Sequence, residues 1–324
     1  MYRLVLAIGT CVLFLGGAAV AADPSPRLPL LTNDDAWKKL PDAPEAVQPL
    51  PAWARAMAGW QPITTARMLE LDAAHRTGER LDGRFRAVVR WAAADANHCE
   101  YARAMAAADY DRAAGHASDL AGLMKNPDKL PEVDRLGAAF ARKMMLDAAG
   151  VTDSEVKMLI ALIGDERMVA LVALVAHASF QDRVFLALNV SPEQGGVPAP
   201  VTVKFGRPKG GASHGKPADP PQLMAKTEPT AEWSLARKKL DEQKKRPGRI
   251  AVPTNEEVTR RLGKDHPGLW QNGIVWSRVC YGHQPELTDA WFDTANAFRQ
   301  EAGMDGVTGN SIFWVVTDAL NCFY

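Results

Sequence analysis

The chain carries no surplus of charge: 38 lysines and arginines stand against 38 aspartates and glutamates. That balance leaves no electrostatic footprint for nucleic acid or for an anionic membrane surface. Cysteine is scarce. Once Cys11, in the N-terminal apolar run, is set aside, Cys99, Cys280 and Cys322 remain, an odd number that cannot be fully paired within one chain. Period-two alternation of apolar and polar residues is lacking, which excludes half-buried strands and predicts an all-α protein. Neither a glycine-rich phosphate loop, a CxxCH haem site nor a Ser/His/Asp signature occurs. Cys280 and His283 in CYGH have a spacing that two metal ligands can use, but nothing completes a tetrahedral set, so neither metal nor cofactor is expected.

Residues 1–22 have the three parts of an export signal: Arg3, the apolar run from Leu4 to Phe14, and Ala19, Val20 and Ala21 before Asp23. An exported protein, periplasmic or secreted, is expected, held at a membrane only if that segment stays uncleaved. Residues 23–50 form a proline-rich extension with one short helix over Asp34 to Leu40. Helical periodicity runs from 51 to 190. It predicts a helix from Arg84 to Ala96 with Phe85, Val88, Val89 and Ala92 inward, then an alanine-rich helix from Cys99 to Ala114. Pro131 to Ala149 shows an apolar stripe, and Thr152 with Glu155 forms a capping box for a helix that Gly164 stops. The stretch from Asp165 to Leu188 is apolar all round between Met168 and Ala176, as the buried centre of a bundle should be. On it, His177 reads as a core histidine bonded to a neighbouring module, and Asp182 with Arg183 as a local pair or a partner contact. Residues 191–230 are rich in proline and glycine and read as a linker with one extended piece at Val201 to Phe205. A charged helix and connector occupy 231–252, and a second module 253–324, opened by a capping box of Thr254 and Glu257.

The second module follows from an internal repeat. Leu81 to Tyr101 matches Met304 to Tyr324 without a gap at Asp82/Asp305, Gly83/Gly306, Trp91/Trp314, Asp95/Asp318, Ala96/Ala319, Cys99/Cys322 and Tyr101/Tyr324. LTNDDAWKKL at Leu31 to Leu40 echoes PTNEEVTRRL at Pro253 to Leu262, and the two offsets, 223 and 222, agree within one residue. The second module is incomplete, since only Phe323 and Tyr324 follow Cys322. Either the chain stops short of the module's natural end, which is the expectation, or another chain completes the half-module by swapping.

Cys99 falls at a helix N-terminus, where unpaired N–H groups and the helix dipole favour thiolate over thiol. Thiolates attack peroxides and disulfides, so Cys99 and Cys322 are candidate catalytic residues, with His98, Glu100 and Tyr101 as possible tuners of the thiol. The alternative is a small buried hydrophobe. LDGRFR, a helix, ANHCEY and the long apolar helix ending AHASFQDRVFLALNV together resemble the carboxymuconolactone decarboxylase and alkylhydroperoxidase AhpD-like family. The resemblance covers about 51–190 and 267–324. It implies tandem AhpD-like helical bundles, assembly as a homo-oligomer, and a peroxidase pattern of Glu, CxxC and His. In the first module only Cys99 of that pattern is kept; Ala87, Ala102 and Ala106 stand at the Glu, second-cysteine and His positions. In the second, Asn310 stands at the Glu position. Two functions are therefore expected as rivals: a thiol oxidoreductase of peroxidase type, acting on a small-molecule peroxide or a thiol/disulfide donor, or a non-catalytic assembly or binding module. The decarboxylase branch needs the same missing Glu and His.

Overall fold

The computed structural model describes residues 25–43, 48–116, 118–206, 231–245, 248–271 and 273–319, so the expected export signal, most of the expected linker and Cys322 lie outside the described residues. Within them the protein is helical with no strand. The helices are α1 (Asn33–Lys39), α2 (Ala52–Met57), α3 (Pro62–Thr77), α4 (Gly83–Ala96), α5 (Glu100–Ala114), α6 (Leu120–Lys125), α7 (Glu132–Leu146), α8 (Asp153–Leu188), α9 (Ala231–Lys244), α10 (Asn255–Leu262), α11 (Val275–His283), α12 (Pro285–Glu301) and α13 (Gly306–Ala319). No helix among the described residues is long and apolar enough to cross a membrane.

The helix α4 is the hub of the first bundle. Asp82 caps it by accepting the Arg84 and Phe85 N–H groups, and Val88, Val89, Ala92 and Ala93 are sealed between α5, α7 and α8. Small residues set the spacing: a Cβ on Gly137 of α7 would stand 2.5 Å from the Phe85 ring. The capping box of Thr152 and Glu155 starts α8 as expected. Gly164, at φ +78° and ψ 166°, leaves the helical conformation and stops the first segment of α8 as expected, and the second segment is then buried at Met168, Leu171, Leu174, Val175 and Ala178.

One expectation changes. Residues 191–206 do not behave as a free linker, because Val197, Val201 and Phe205 are buried in a core shared with Trp53, Leu69 and Phe185, and Arg67 donates to the carbonyls of Phe205 and Gly206. The N-terminal extension is likewise docked: Ala36, Leu40 and Leu50 enter the same core, and Arg27 binds the last carbonyls of α8. Apolar side chains at these positions outweigh the extended backbone that proline imposes.

The helices α10 to α13 repeat the order and register of α1 to α4. Thr32 and Thr254 both cap through a side-chain oxygen. Gln61 and Gln284 precede Pro62 and Pro285 with nearly the same backbone angles, φ −137° and ψ 66° against φ −137° and ψ 61°. Asp82 and Asp305 cap the starts of α4 and α13 by accepting backbone N–H groups two and three residues on. With these bounds as guide, the 223-residue offset extends upstream through Trp53/Trp276, Arg55/Arg278, Gly59/Gly282, Thr65/Thr288 and Arg76/Arg299. The two repeats join through α3 and α12. Glu301, at the end of α12, accepts the N–H groups of Ile63 and Thr64 at 2.9 and 2.6 Å, and so caps α3 from 237 residues away.

Candidate functional site

The cysteine pattern and the most polar interior of the protein are two different places. Cys99 is the N-cap of α5, as expected, but is only 1% exposed. Burial, reinforced by the nearby Asp182 carboxylate, pushes its thiol up to about 11 in spite of an N–H contact from Ala102. This corrects the expectation of a thiolate: the helix start contributes a partial charge, whereas desolvation disfavours the full charge of the sulfur. Cys99 and Cys280 are both free. The proposed tuners disperse. His98 and Glu100 are exposed, and the buried Tyr101 donates its hydroxyl to Glu193 at 2.9 Å rather than serving the sulfur.

The polar interior lies between α3, α4, α5 and α8, around a cavity of about 270 Å³. Each helix offers one stripe: Asp72, His75 and Arg76 from α3; Arg86, Ala87 and Arg90 from α4; Met105, Asp109 and Arg112 from α5; Leu174, His177 and Gln181 from α8. Spacings of one, three, four and seven keep each set on one broad helix face. At the centre the imidazoles of His75 and His177 stack, with ring centroids 4.3 Å apart and planes 10° from parallel.

Burial holds both histidines neutral. His75 is well below its ordinary value through burial and then the neighbouring His177, and His177 is lowered by burial although Asp72 pulls the other way. His177 Nε2 stands 4.0 Å from Asp72 Oδ1, too far for a hydrogen bond, and neither of its ring nitrogens has a partner. Asp72 is itself ionised: burial opposes its charge and is the largest single influence, but Arg76, His177 and Gln181 together outweigh it and hold the carboxyl below the usual carboxylate range. Gln181 donates to Asp72 at 2.7 Å and its amide oxygen receives Arg90 at 3.2 Å.

Asp182, expected to be a local pair with Arg183, is instead fully buried, binding Arg90 and accepting from Asn97 at 2.8 Å. The Arg90 Nε and Nη1 atoms remain buried without partners. Arg86 is committed to the carbonyls of Arg76, Gly78 and Leu81 and lowered by burial. Counting Asp182, four arginines face three carboxylates here, and with both histidines neutral the site has a positive surplus. His75 is also part of the wall of a larger groove, about 1030 Å³, between α3 and α12.

Of the alanines that the resemblance singled out, Ala87 lines this cavity, while Ala102 and Ala106 are sealed in the packing of α5. The sequence offered a signal for the site: charged and histidine side chains at Asp72, His75, Arg76 and Arg90 interrupt the buried faces of otherwise apolar helices, and such groups are rarely buried without partners. Among the described residues, no group of three or more histidine, cysteine or acidic side chains is placed to hold a metal ion. Comparison with protein-family models, with curated proteins and with solved structures gives no match.

Proposed function

We propose that the protein is an acid–base catalyst acting on a small carboxylate or other oxyanion in the cavity between α3, α4, α5 and α8, with a helical bundle of the carboxymuconolactone decarboxylase and AhpD-like type as its scaffold. One observation carries the reading: a neutral His177 with both ring nitrogens unpartnered, stacked on His75, beside the unpartnered Nε and Nη1 of Arg90. A neutral imidazole accepts a proton from a carbon acid, and the imidazolium then formed faces Asp72. The free Arg90 donors are suited to the oxyanion that develops on the substrate. The stacked pair limits the site to one added proton, since two imidazolium rings at that separation repel.

Peroxidase chemistry at Cys99 draws no support from its surroundings, because the sulfur is sealed and its thiol form is favoured. Export and assembly as a homo-oligomer remain part of the proposal, resting on the signal-like residues 1–22 and on the family resemblance.

The test is to follow incorporation of solvent deuterium next to the carbonyl in a panel of 3-oxo acids and unsaturated lactone acids, together with the imidazole proton signals of His75 and His177. Exchange on at least one compound, reduced by about 10²-fold or more in His177→Phe, is expected. Imidazole signals that ignore every acid of the panel at millimolar concentration, with no exchange, overturn the proposal.

A further inference from the structure

Asp134, in the first turn of α7, is only 9% exposed and makes neither a hydrogen bond nor an ion pair with its side chain among the described residues. The other buried carboxylates of the first bundle, Asp72 and Asp182, are each bound by an arginine. The helix does not explain the difference. An acid in the first turn favours the α7 dipole, but the exposed Glu132 already supplies one from solvent. Burial, and then the neighbouring Asp82 carboxylate, raise the Asp134 carboxyl above its ordinary value; Arg84 acts the other way without closing onto it. A carboxylate withdrawn from water without a partner is costly, so the position is suited to a group that arrives from outside.

Asp134 lines a cavity of about 500 Å³, within the roughly 300–1,000 Å³ usual for small-molecule sites. Its walls are mainly apolar: Phe85 from α4, Tyr110 from α5, Leu123 from α6, Val133 from α7, and Leu162 with Ile163 from the first segment of α8. Leu162 is 46% exposed, so the cavity opens to solvent on that side. Arg84, Lys129 and Arg167 stand on the same lining, all exposed and none in an ion pair among the described residues. Asp82, the remaining charged group, is committed to the start of α4. A ligand carrying only a cation meets Asp134 but is repelled by the rim; one carrying only an anion meets the rim but faces Asp134. A molecule with both charges and an apolar body matches every part of the lining. Arg84 is near enough to act on Asp134, so the two charges of that molecule belong close together, as they are in an α-amino acid.

We propose that this cavity binds an α-amino acid with a large apolar side chain, its ammonium group on Asp134, its carboxylate on Arg84, and its side chain among Phe85, Val133 and Leu162. The ammonium donates the hydrogen bonds that the Asp134 oxygens lack, and the apolar side chain covers the open wall. The cavity shares no lining residue with the one between α3, α4, α5 and α8. The proposal therefore goes beyond the acid–base reading and does not rest on it.

Titration calorimetry on the full chain tests this with leucine and phenylalanine, beside glycine, 2-phenylethylamine and 3-phenylpropanoate. At least one of the two apolar amino acids should bind with a Kd below about 1 mM, and glycine, the amine and the acid should each bind about tenfold more weakly or worse. Asp134→Asn should weaken the amino acid about tenfold and leave the acid unaffected; Arg84→Gln should weaken the amino acid and leave the amine unaffected. The comparison of ligands on the wild type decides the matter even where a variant folds poorly. No heat from either amino acid at about 10 mM, or an amine or acid that binds as tightly as the amino acid, overturns the proposal. So does binding that shifts the imidazole signals of His75 and His177 and survives Asp134→Asn, because it then belongs to the other cavity.

Discussion

His75 and His177 lie face to face at 4.3 Å, each lowered by burial and neither bonded through a close carboxylate. Their neutrality fixes how stability follows pH. Both groups bind protons more weakly folded than unfolded, so as the pH drops below about 6.5 the unfolded chain takes up protons that the native protein refuses. Stability should therefore be full above pH 7 and fall between pH 6.5 and 4, by up to about 1.4 kcal/mol per pH unit for each proton. Asp72, held below the carboxylate range, adds a loss of the same sign only below its unfolded value near 3.8. Chemical denaturation of the wild type and of His75→Phe with His177→Phe across pH 4 to 8 checks this; the upper part of the slope should flatten in the variant.

Arg90 supplies a second prediction. Asp182 has no exposure, and its two oxygens divide between Arg90 and Asn97. Asp182→Asn leaves a guanidinium buried without a countercharge, which costs about 3–5 kcal/mol when one partner of a buried pair is removed. Replacing both partners, as in Arg90→Met with Asp182→Leu, should restore much of that loss while abolishing any response of the histidine signals to acids. Urea unfolding of the wild type and the two variants, beside the histidine signals with and without acid, separates the two effects.

The all-α character and the capping boxes at Thr152 and Thr254 were legible in the sequence because each follows from local spacing, whereas the run from Met168 to Ala176, expected to be buried all round, is buried on one face and leaves Val172 38% exposed. The site was less so. Asp72 and His177 are 105 positions apart, and only the crossing of α3 and α8 brings them together. His177 was expected to meet another module, but its neighbours are His75 and Asp72 of its own bundle. The docking of Val201 and Phe205 was masked by prolines, which report local backbone and say nothing of burial. The full extent of the repeat lies in the backbone, where Gln61 and Gln284, each a non-helical residue before a proline, open corresponding helices.

Cys99 gives the third prediction. With its thiol raised to about 11 and its side chain sealed, native protein at pH 8 should react with an aromatic disulfide at least a hundredfold more slowly than unfolded protein. Hydrogen peroxide should leave it reduced. Rapid labelling of Cys99, identified by peptide mapping, would restore the peroxidase reading.

Gly137 tests the packing of α7 on α4. A Cβ there would meet the Phe85 ring at 2.5 and 2.8 Å and Val89 at 3.2 Å, and both of those side chains are buried. Gly137→Ala gains helix propensity worth about 1 kcal/mol, yet overpacking a tight core contact costs about 1–3 kcal/mol. Because Phe85 is enclosed and cannot swing away, the second term should prevail, and the thermal midpoint should fall. A rise would mean that α7 is free to slide outward.

Glu301 decides whether the second repeat supports the first. Its carboxylate receives two backbone N–H groups and the Thr64 hydroxyl at the start of α3, the helix that carries Asp72, His75 and Arg76. Gln61, the residue at the cap position itself, provides no side-chain bond. Glu301→Ala should cost about 0.5–2 kcal/mol, the usual worth of a helix cap, with Glu301→Gln losing less because one acceptor oxygen remains. Thr64→Val removes only the hydroxyl, so the loss on combining it with Glu301→Ala should be smaller than the sum of the two single losses. Hydrogen exchange provides the local readout: protection should drop first at Ile63 and Thr64 and then along the first turns of α3, while α7 stays unchanged. Equal losses in α3 and α7 would show a global effect and deny Glu301 the role of a cap supplied by the second repeat.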